Sequence, residues 1–423
     1  MTITETFGHW VEQLNTRRPE QARRLLKTGW AAQRLRFGAA PDRRLLPADR
    51  YLACLMMDAM RAPLRQPRQS ALVSVFTPCQ LLHEVGLHPY NAESMSCYLS
   101  ASRADSGCIQ RAEADGIAET LCSYHKTCLG AAESGLLPAP RCVVYTNLTC
   151  DANMLTFRRL AELYGVPSFF IDVPIRQDED SVAYVAGQLR ELAAFLEQQT
   201  GKKVNEDSLR ARLARSERTR ENYRQFQQAR ADRCIPTDLV TPMYSGMTAH
   251  ILLGTEKEER YTQMLLRDVS SAPPAQGKRI YWMHTIPFWS DAVKELLCFK
   301  DSDQIVGEEL CEACDYPIYP ERPYEAMAAQ MVYHALNGPV THRIELGIRH
   351  ARQAGADGAV WFCHWGCKHT LGGAQLAKKK FEAAGFPLLL LDGDGCDRSH
   401  GGEGQTATRL GAFLEMLEEG RHG

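Results

Sequence analysis

The stretch from Gly358 to Cys396 constrains the fold most strongly, because a strand, a helix and a second strand follow one another in it. The apolar run 359–362 is typical of a buried strand, and residues 371–384 carry apolar side chains at helical spacing. Gly385 is expected to end the helix, and the apolar run 387–391 predicts the second strand. Strands joined in this way lie parallel with a right-handed crossover, so the stretch predicts an α/β fold.

Three cysteines, Cys363, Cys367 and Cys396, follow the carboxyl ends of these two predicted strands. In open α/β sheets, ligands bind at that edge of the sheet. We therefore expect the three thiols to serve chemistry there rather than packing.

The first half of the chain repeats this pattern. Residues 142–146 predict a strand with Cys150 beyond its end, residues 152–164 predict a helix, and residues 166–172 predict the returning strand. Upstream, Cys122 and Cys128 add two thiols in a loop or short helix. We expect two doubly wound parallel α/β domains over residues 69–180 and 271–423. Helical segments are expected over residues 1–68 and 181–270, and Ser270–Gly277 is the expected linker.

Composition excludes several classes of partner. The chain of 423 residues has 49 Lys and Arg against 51 Asp and Glu, and this balance argues against binding to nucleic acid. The arginine-rich helix predicted over 207–231 is interpreted as a solvated face. No signal peptide and no apolar run of about 20 residues is present, so we expect a cytoplasmic protein that does not span a membrane.

The chain has 15 cysteines, and in a reducing cytosol they favour metal binding or catalysis over a disulfide framework. Two close pairs, Cys311 with Cys314 and Cys363 with Cys367, have spacings that zinc sites also use. A structural zinc protein is therefore one alternative. For Cys311 and Cys314, metal binding, a redox pair and simple packing all remain open.

Several motifs resemble those of the 2-hydroxyacyl-CoA dehydratase and benzoyl-CoA reductase subunit family. They read CSYHK at Cys122, TNLTCDAN around Cys150, FCHWG at Cys363 and GQTATRLGAFLEML from Gly404, within a resemblance from about 75 to 417. The resemblance implies two Rossmann-like domains and a 4Fe–4S cluster held by Cys122, Cys150 and Cys363. It also implies a separate ATP-hydrolysing iron–sulfur activator that supplies electrons of low potential.

The additional thiols resemble the double-cubane cluster branch of this family, in which six cysteines hold two joined cubanes. That resemblance adds Cys367, Cys396 and Cys128 as ligands, with Cys79 and Cys97 as alternatives to Cys128. It implies an ATP-dependent, low-potential reductase of a small substrate, expected as a homodimer. The alternative within the family is a 2-hydroxyacyl-CoA dehydratase subunit with one 4Fe–4S cluster.

Three histidines, His125, His364 and His369, lie close to these cysteines in the sequence. Neutral imidazole can donate a proton to a substrate near pH 7, which makes all three candidate catalytic residues. The alternative role is a hydrogen bond to a ligating residue. No phosphate-binding loop of the form G-x-x-x-x-G-K-[ST] occurs, so nucleotide chemistry is expected on a partner.

Overall fold

The computed structural model describes residues 2–311, 314, 316–400 and 402–422. The strands are β1 Ser70–Val73, β2 His88–Asn91, β3 Cys142–Thr146, β4 Ser168–Ile171, β5 Lys278–Met283, β6 Asp303–Glu308, β7 Gly358–His364 and β8 Leu388–Gly393. The helices are α1 Ile3–Arg17, α2 Pro19–Ala39, α3 Pro47–Arg65, α4 Gln80–Glu84, α5 Ala92–Ala101, α6 Ser106–Ala114, α7 Ser123–Glu133, α8 Ala152–Tyr164, α9 Glu179–Thr200, α10 Glu206–Arg230, α11 Val240–Met243, α12 Glu256–Ser270, α13 Asp291–Leu297, α14 Pro323–Val332, α15 Val340–Gln353, α16 Lys368–Leu371, α17 Ala374–Ala383 and α18 Glu403–His422.

The strands form two parallel sheets with the same topology. The first has the order β2-β1-β3-β4 and the second has the order β6-β5-β7-β8. The prediction of two Rossmann-like α/β domains is therefore confirmed. Strand β2 was not predicted, because its sequence HPYN contains no apolar run and it lies at the edge of its sheet.

The helix predicted after β7 is interrupted. It divides into α16 and α17 at Gly372 and Gly373, where the chain passes close to α15. A β-carbon at Gly373 would lie 2.7 Å from a methyl carbon of Val340. Two adjacent glycines therefore allow a close approach at the cost of helix continuity.

Strand β7 contributes to two different cores. Val360 and Phe362 belong to the large apolar core, whereas Ala359, Trp361 and Cys363 belong to a smaller core with residues of α15 and α17. Successive side chains of a strand point to opposite faces, so this division follows directly from the strand geometry. Helix α18 covers the face toward the large core, since a β-carbon at Gly358 would lie 2.8 Å from the Phe413 ring.

Helices α1 to α3 precede the first sheet, and α9 to α12 lie between the two sheets in the chain. Helix α9 packs against α14, α10 packs against α12, and α12 packs against α3, so these helices bind the N-terminal segment to both sheets. The predicted linker is held in place, because the Ala275 N–H donates to the Asp232 carbonyl and the Cys234 N–H donates to the Pro273 carbonyl. In the described part of the chain, no helix is both long and apolar enough to cross a membrane.

Candidate functional site

The carboxyl ends of the central strands face one another across the two domains. In both sheets the strand order reverses between the two central strands, β1 and β3 in one sheet and β5 and β7 in the other. Left-handed backbone follows each of these strands, at Phe76 (φ 65°), Thr149 (φ 71°), His284 (φ 75°) and Gly366 (φ 81°). Such positions are costly for residues other than glycine and cluster at functional sites. This edge is therefore the candidate site.

Three thiols meet at this edge. Cys122 precedes α7, Cys150 follows β3, and Cys367 precedes α16 just beyond β7. Burial, followed by the proximity of Cys367 and Cys150, raises the pKa of the Cys122 thiol well above its usual value. Burial and then Cys367 raise the pKa of Cys150 to about 12. The three thiols thus lie close enough to oppose one another's ionisation, which is the environment that a cationic centre would relieve.

Each of these thiols has an imidazole beside it. The Cys122 sulfur lies 3.1 Å from Nε2 of His364, the Cys150 sulfur lies 3.6 Å from Nε2 of His125, and the Cys367 sulfur lies 3.7 Å from Nε2 of His284. His284 was not predicted, although it directly follows β5 and the same strand-end rule would have identified it. The site therefore consists of three thiol–imidazole pairs contributed by both domains.

The histidines are held neutral by their surroundings. Burial lowers the pKa of His125 to about 4 and that of His369 to about 4, and it lowers the pKa of His284 well below the usual value. Near pH 7 these rings carry one proton each, so they can donate or accept a hydrogen bond without charge.

Among the predicted histidines, His369 contacts a buried ion pair between Arg343 and Glu309. Its Nδ1 accepts from Arg343 at 2.9 Å, and Arg343 donates two bonds of 2.6 and 2.7 Å to the buried Glu309. Arg343 also lies over the ring of Trp361, at 4.5 Å from its centre. The structure therefore assigns His369 to a buried polar network beside the thiols. Neither Arg343 nor Glu309 had a distinguishing sequence signal.

Cys363 does not join the three thiols. It packs in the smaller core with Trp361, on the face of β7 opposite to His364. Burial, with Asp392 on the neighbouring strand, raises the pKa of its thiol to about 12. Of the two cysteines of the FCHWGC segment, only Cys367 reaches Cys122.

Cys396 belongs to a second buried thiol group, which contains Cys97 and surrounds Tyr124. Burial raises the pKa of Cys396 well above its usual value, and the nearby Asp105 and Cys97 raise it further. Its sulfur lies 3.7 Å from the Thr127 hydroxyl and 3.7 Å from the Ser96 carbonyl. Cys396 therefore lies between α5 and α7, beside the Cys122 site but not within it.

The remaining cysteines lie elsewhere. Cys128 is fully buried on α7 near Glu93, and Cys79 is buried at the start of α4. The sulfur of Cys311 faces the Pro242 carbonyl at 3.9 Å, and that of Cys314 faces the Tyr333 carbonyl at 3.4 Å. Residues 312 and 313, between the last two cysteines, lie outside the described residues.

The three thiols are residues of a type that binds soft metal ions. Across the described ranges, no three His, Cys, Asp or Glu side chains close on one point as the ligands of a single ion must. The thiolates of a polynuclear cluster bind different metal atoms and so lie farther apart. Soft thiolate ligands of this kind are those that iron–sulfur clusters use.

Comparison with known proteins gives a consistent result. Residues 74–417 match the family described as 2-hydroxyglutaryl-CoA dehydratase, D-component. The (R)-phenyllactyl-CoA dehydratase alpha subunit of Clostridium sporogenes is 21% identical, with 80% of this chain and 87% of that protein covered. The (R)-2-hydroxyisocaproyl-CoA dehydratase alpha subunit of Clostridioides difficile is 20% identical, with 82% and 89% covered. The (R)-2-hydroxyglutaryl-CoA dehydratase subunit alpha of Acidaminococcus fermentans is 24% identical, with 67% and 61% covered.

Proposed function

Because the chain belongs to the 2-hydroxyglutaryl-CoA dehydratase D-component family, we propose that it is a subunit of an iron–sulfur enzyme that removes water from a 2-hydroxyacyl thioester. The similar proteins carry dehydratase names for three such thioesters. The observation that carries the proposal is the convergence of three thiols from both domains at the strand ends.

The proposed cluster ligands are Cys122, Cys150 and Cys367. Cys367 takes the place of Cys363 in the expected set, because the Cys363 side chain lies on the far face of β7. Three protein thiolates leave one iron of a cubane without a protein ligand, and the cluster when bound supplies one-electron transfer at that position.

Dehydration removes the hydroxyl group from C2 and a proton from C3, so a group in the site must exchange protons with the substrate. Of the three predicted histidines, His364 and His369 have hydrogen bonds at Nδ1 from Gly395 and Arg343. His125 has a buried Nδ1 atom without a hydrogen-bond partner among the described residues. We assign the proton exchange to His125 for that reason.

The first experiment is iron and acid-labile sulfide analysis of the anaerobically purified chain. We expect about four iron atoms per chain for one 4Fe–4S cluster, and loss of most of this iron in Cys122→Ser. Zinc without sulfide would contradict the proposal and indicate the structural zinc alternative.

A double-cubane reductase is the second candidate, and the second thiol group of Cys97 and Cys396 favours it. This group is separated from Cys122 by the first turn of α7, where Ser123 and Tyr124 lie. Two joined cubanes would double the iron content to about eight per chain. The same analysis therefore distinguishes the two candidates.

The proposed partner is an ATP-hydrolysing iron–sulfur activator. Cys150 and Cys367 are half-buried whereas Cys122 is buried, and this difference supports electron entry from the activator at Cys150 and Cys367. For the assembly we propose a homodimer, tested by mass measurement in solution. Assembly with a different chain is the alternative, since the similar proteins are named as alpha subunits.

A further inference from the structure

In the contact between His364 and Cys122, unlike the other two thiol–imidazole contacts, the donor atom can be identified. The Gly395 backbone N–H donates to Nδ1 of His364 at 2.9 Å. A neutral imidazole that accepts at one nitrogen carries its proton on the other. Nε2 is therefore the donor, and it lies 3.1 Å from the sulfur of Cys122.

The Gly395 amide is fixed by its own surroundings. The side-chain Oδ1 of Asp394 accepts from the Ser123 hydroxyl at 2.6 Å and from the Cys396 and Asp397 amides at 2.7 Å each. These bonds join the loop after β8 to the first turn of α7. A β-carbon at Gly395 would lie 2.4 Å from the Tyr124 hydroxyl oxygen, so the loop has no room to move toward α7.

The pair is also removed from water. His364 is 1% exposed and Cys122 is 9% exposed. In such a low-dielectric environment a hydrogen bond to a charged sulfur is stronger than it is in water. The contacts of His125 and His284 with their thiols are longer, at 3.6 and 3.7 Å. The cluster ligands are therefore not equivalent.

We propose that His364 is a positioning residue that makes the reduction potential of the bound cluster less negative, by donating the Nε2–H hydrogen bond to the Cys122 thiolate. This inference rests on the proposed function. Hydrogen bonds to the sulfurs are one of the factors that set such potentials. Reduction adds negative charge to the ligands, so a donor stabilises the reduced state more than the oxidised state.

The test uses three variants of the full chain, each purified anaerobically with its iron and sulfide counted first. His364→Leu removes the donor, and His364→Gln retains an N–H donor near the Nε2 position. His83→Leu is the matched control, since the Nε2 atom of His83 is bonded to the Ile251 carbonyl and not to a proposed ligand. The midpoint potential is measured by EPR-monitored redox titration.

We expect about a tenfold smaller reduction equilibrium constant in His364→Leu, equivalent to about 59 mV for one electron. His364→Gln should have a midpoint potential close to that of the unaltered protein, and His83→Leu should leave the potential unchanged. An unchanged potential in His364→Leu, or the same shift in His364→Gln, would overturn the inference while leaving the proposed function intact. Absence of iron and sulfide from the unaltered chain would overturn both.

If His364→Leu does not retain the cluster, a second measurement on the other proteins tests the same inference. Pulsed EPR of the unaltered protein with ¹⁵N-labelled histidine should detect coupling between the reduced cluster and one strongly bonded imidazole nitrogen. We expect this coupling to disappear in His364→Gln and to persist in His83→Leu. Coupling that persists in His364→Gln would contradict the assignment to His364.

Discussion

Cys363 and Cys367 are four residues apart, yet their side chains lie in different environments. Cys363 is in the smaller core, and Cys367 faces Cys122 and His284. We expect Cys367→Ser to lose most of its iron and Cys363→Ser to retain it, because only the first substitution removes a proposed ligand. Measurement of iron and sulfide per chain in both variants tests this expected difference.

Circular dichroism of both cysteine variants is the control for folding. The smaller core around Cys363 also contains Trp361 and Phe381, and exchange of its thiol for a hydroxyl should cost roughly 1–2 kcal/mol of stability. Equal loss of iron from both folded variants would show that the division between ligand and core residue is incorrect.

At the scale of elements, the turn after β7 determines where Cys367 lies. Gly366 has a φ of 81°, and a β-carbon there would lie 2.5 Å from the Cys122 backbone nitrogen. Gly385 has a similar φ of 66°, but a β-carbon there would have no atom within 4 Å. We expect Gly385→Ala to cost about 1 kcal/mol from backbone strain alone, and Gly366→Ala to cost more.

Both glycine variants introduce backbone strain, so the difference between their free energies of unfolding measures the clash of the new β-carbon at position 366 with the start of α7. Urea unfolding of the two proteins measures it, and we expect a lower iron content in Gly366→Ala only. Equal unfolding midpoints and equal iron contents would show that this turn tolerates displacement from Cys122.

The start of α12 contains a buried acid that should make stability depend on pH. Glu258 accepts a hydrogen bond from the Gly254 amide at 3.1 Å, and burial raises its pKa to about 8 from a usual value near 4.5. Between these two pH values the folded state binds a proton that the unfolded state lacks. Its contribution to stability is therefore full below pH 4.5 and is lost as the pH rises to 8.

Glu258→Gln keeps the oxygen that accepts from Gly254 and removes the ionisation. We expect the variant to exceed the unaltered protein in free energy of unfolding by roughly 2–4 kcal/mol at pH 8, with the gap closing toward pH 4.5. Denaturant titrations at several pH values measure it. A gap independent of pH would mean that Glu258 ionises alike in both states.

For the whole molecule, we propose that the electrons come from a separate partner protein. No phosphate-binding loop is present in the sequence. We therefore expect turnover of a 2-hydroxyacyl thioester only with activator, ATP and a strong reductant together. The assay compares dithionite alone with dithionite plus activator and either ATP or a non-hydrolysable analogue. Full turnover without hydrolysable ATP would falsify the ATP-dependent mechanism.

The sequence alone was sufficient to predict the parallel strand–helix–strand units, because hydrophobic periodicity and glycine at helix ends are local signals. The same local rule predicted Cys150 and Cys367 at strand ends. It missed β2 and the break between α16 and α17, where edge position and close packing override propensity.

Only the tertiary structure decided which thiols meet. A strand presents alternate residues to opposite faces, and the packing of the two domains selects which residues at the strand ends meet the other domain. That choice placed His364 beside Cys122, 242 residues away in the chain, and left Cys363 in the smaller core. It likewise placed Cys396 with Cys97 rather than with Cys122. Contacts between residues so distant in sequence follow from the packing of whole domains, which no local pattern specifies.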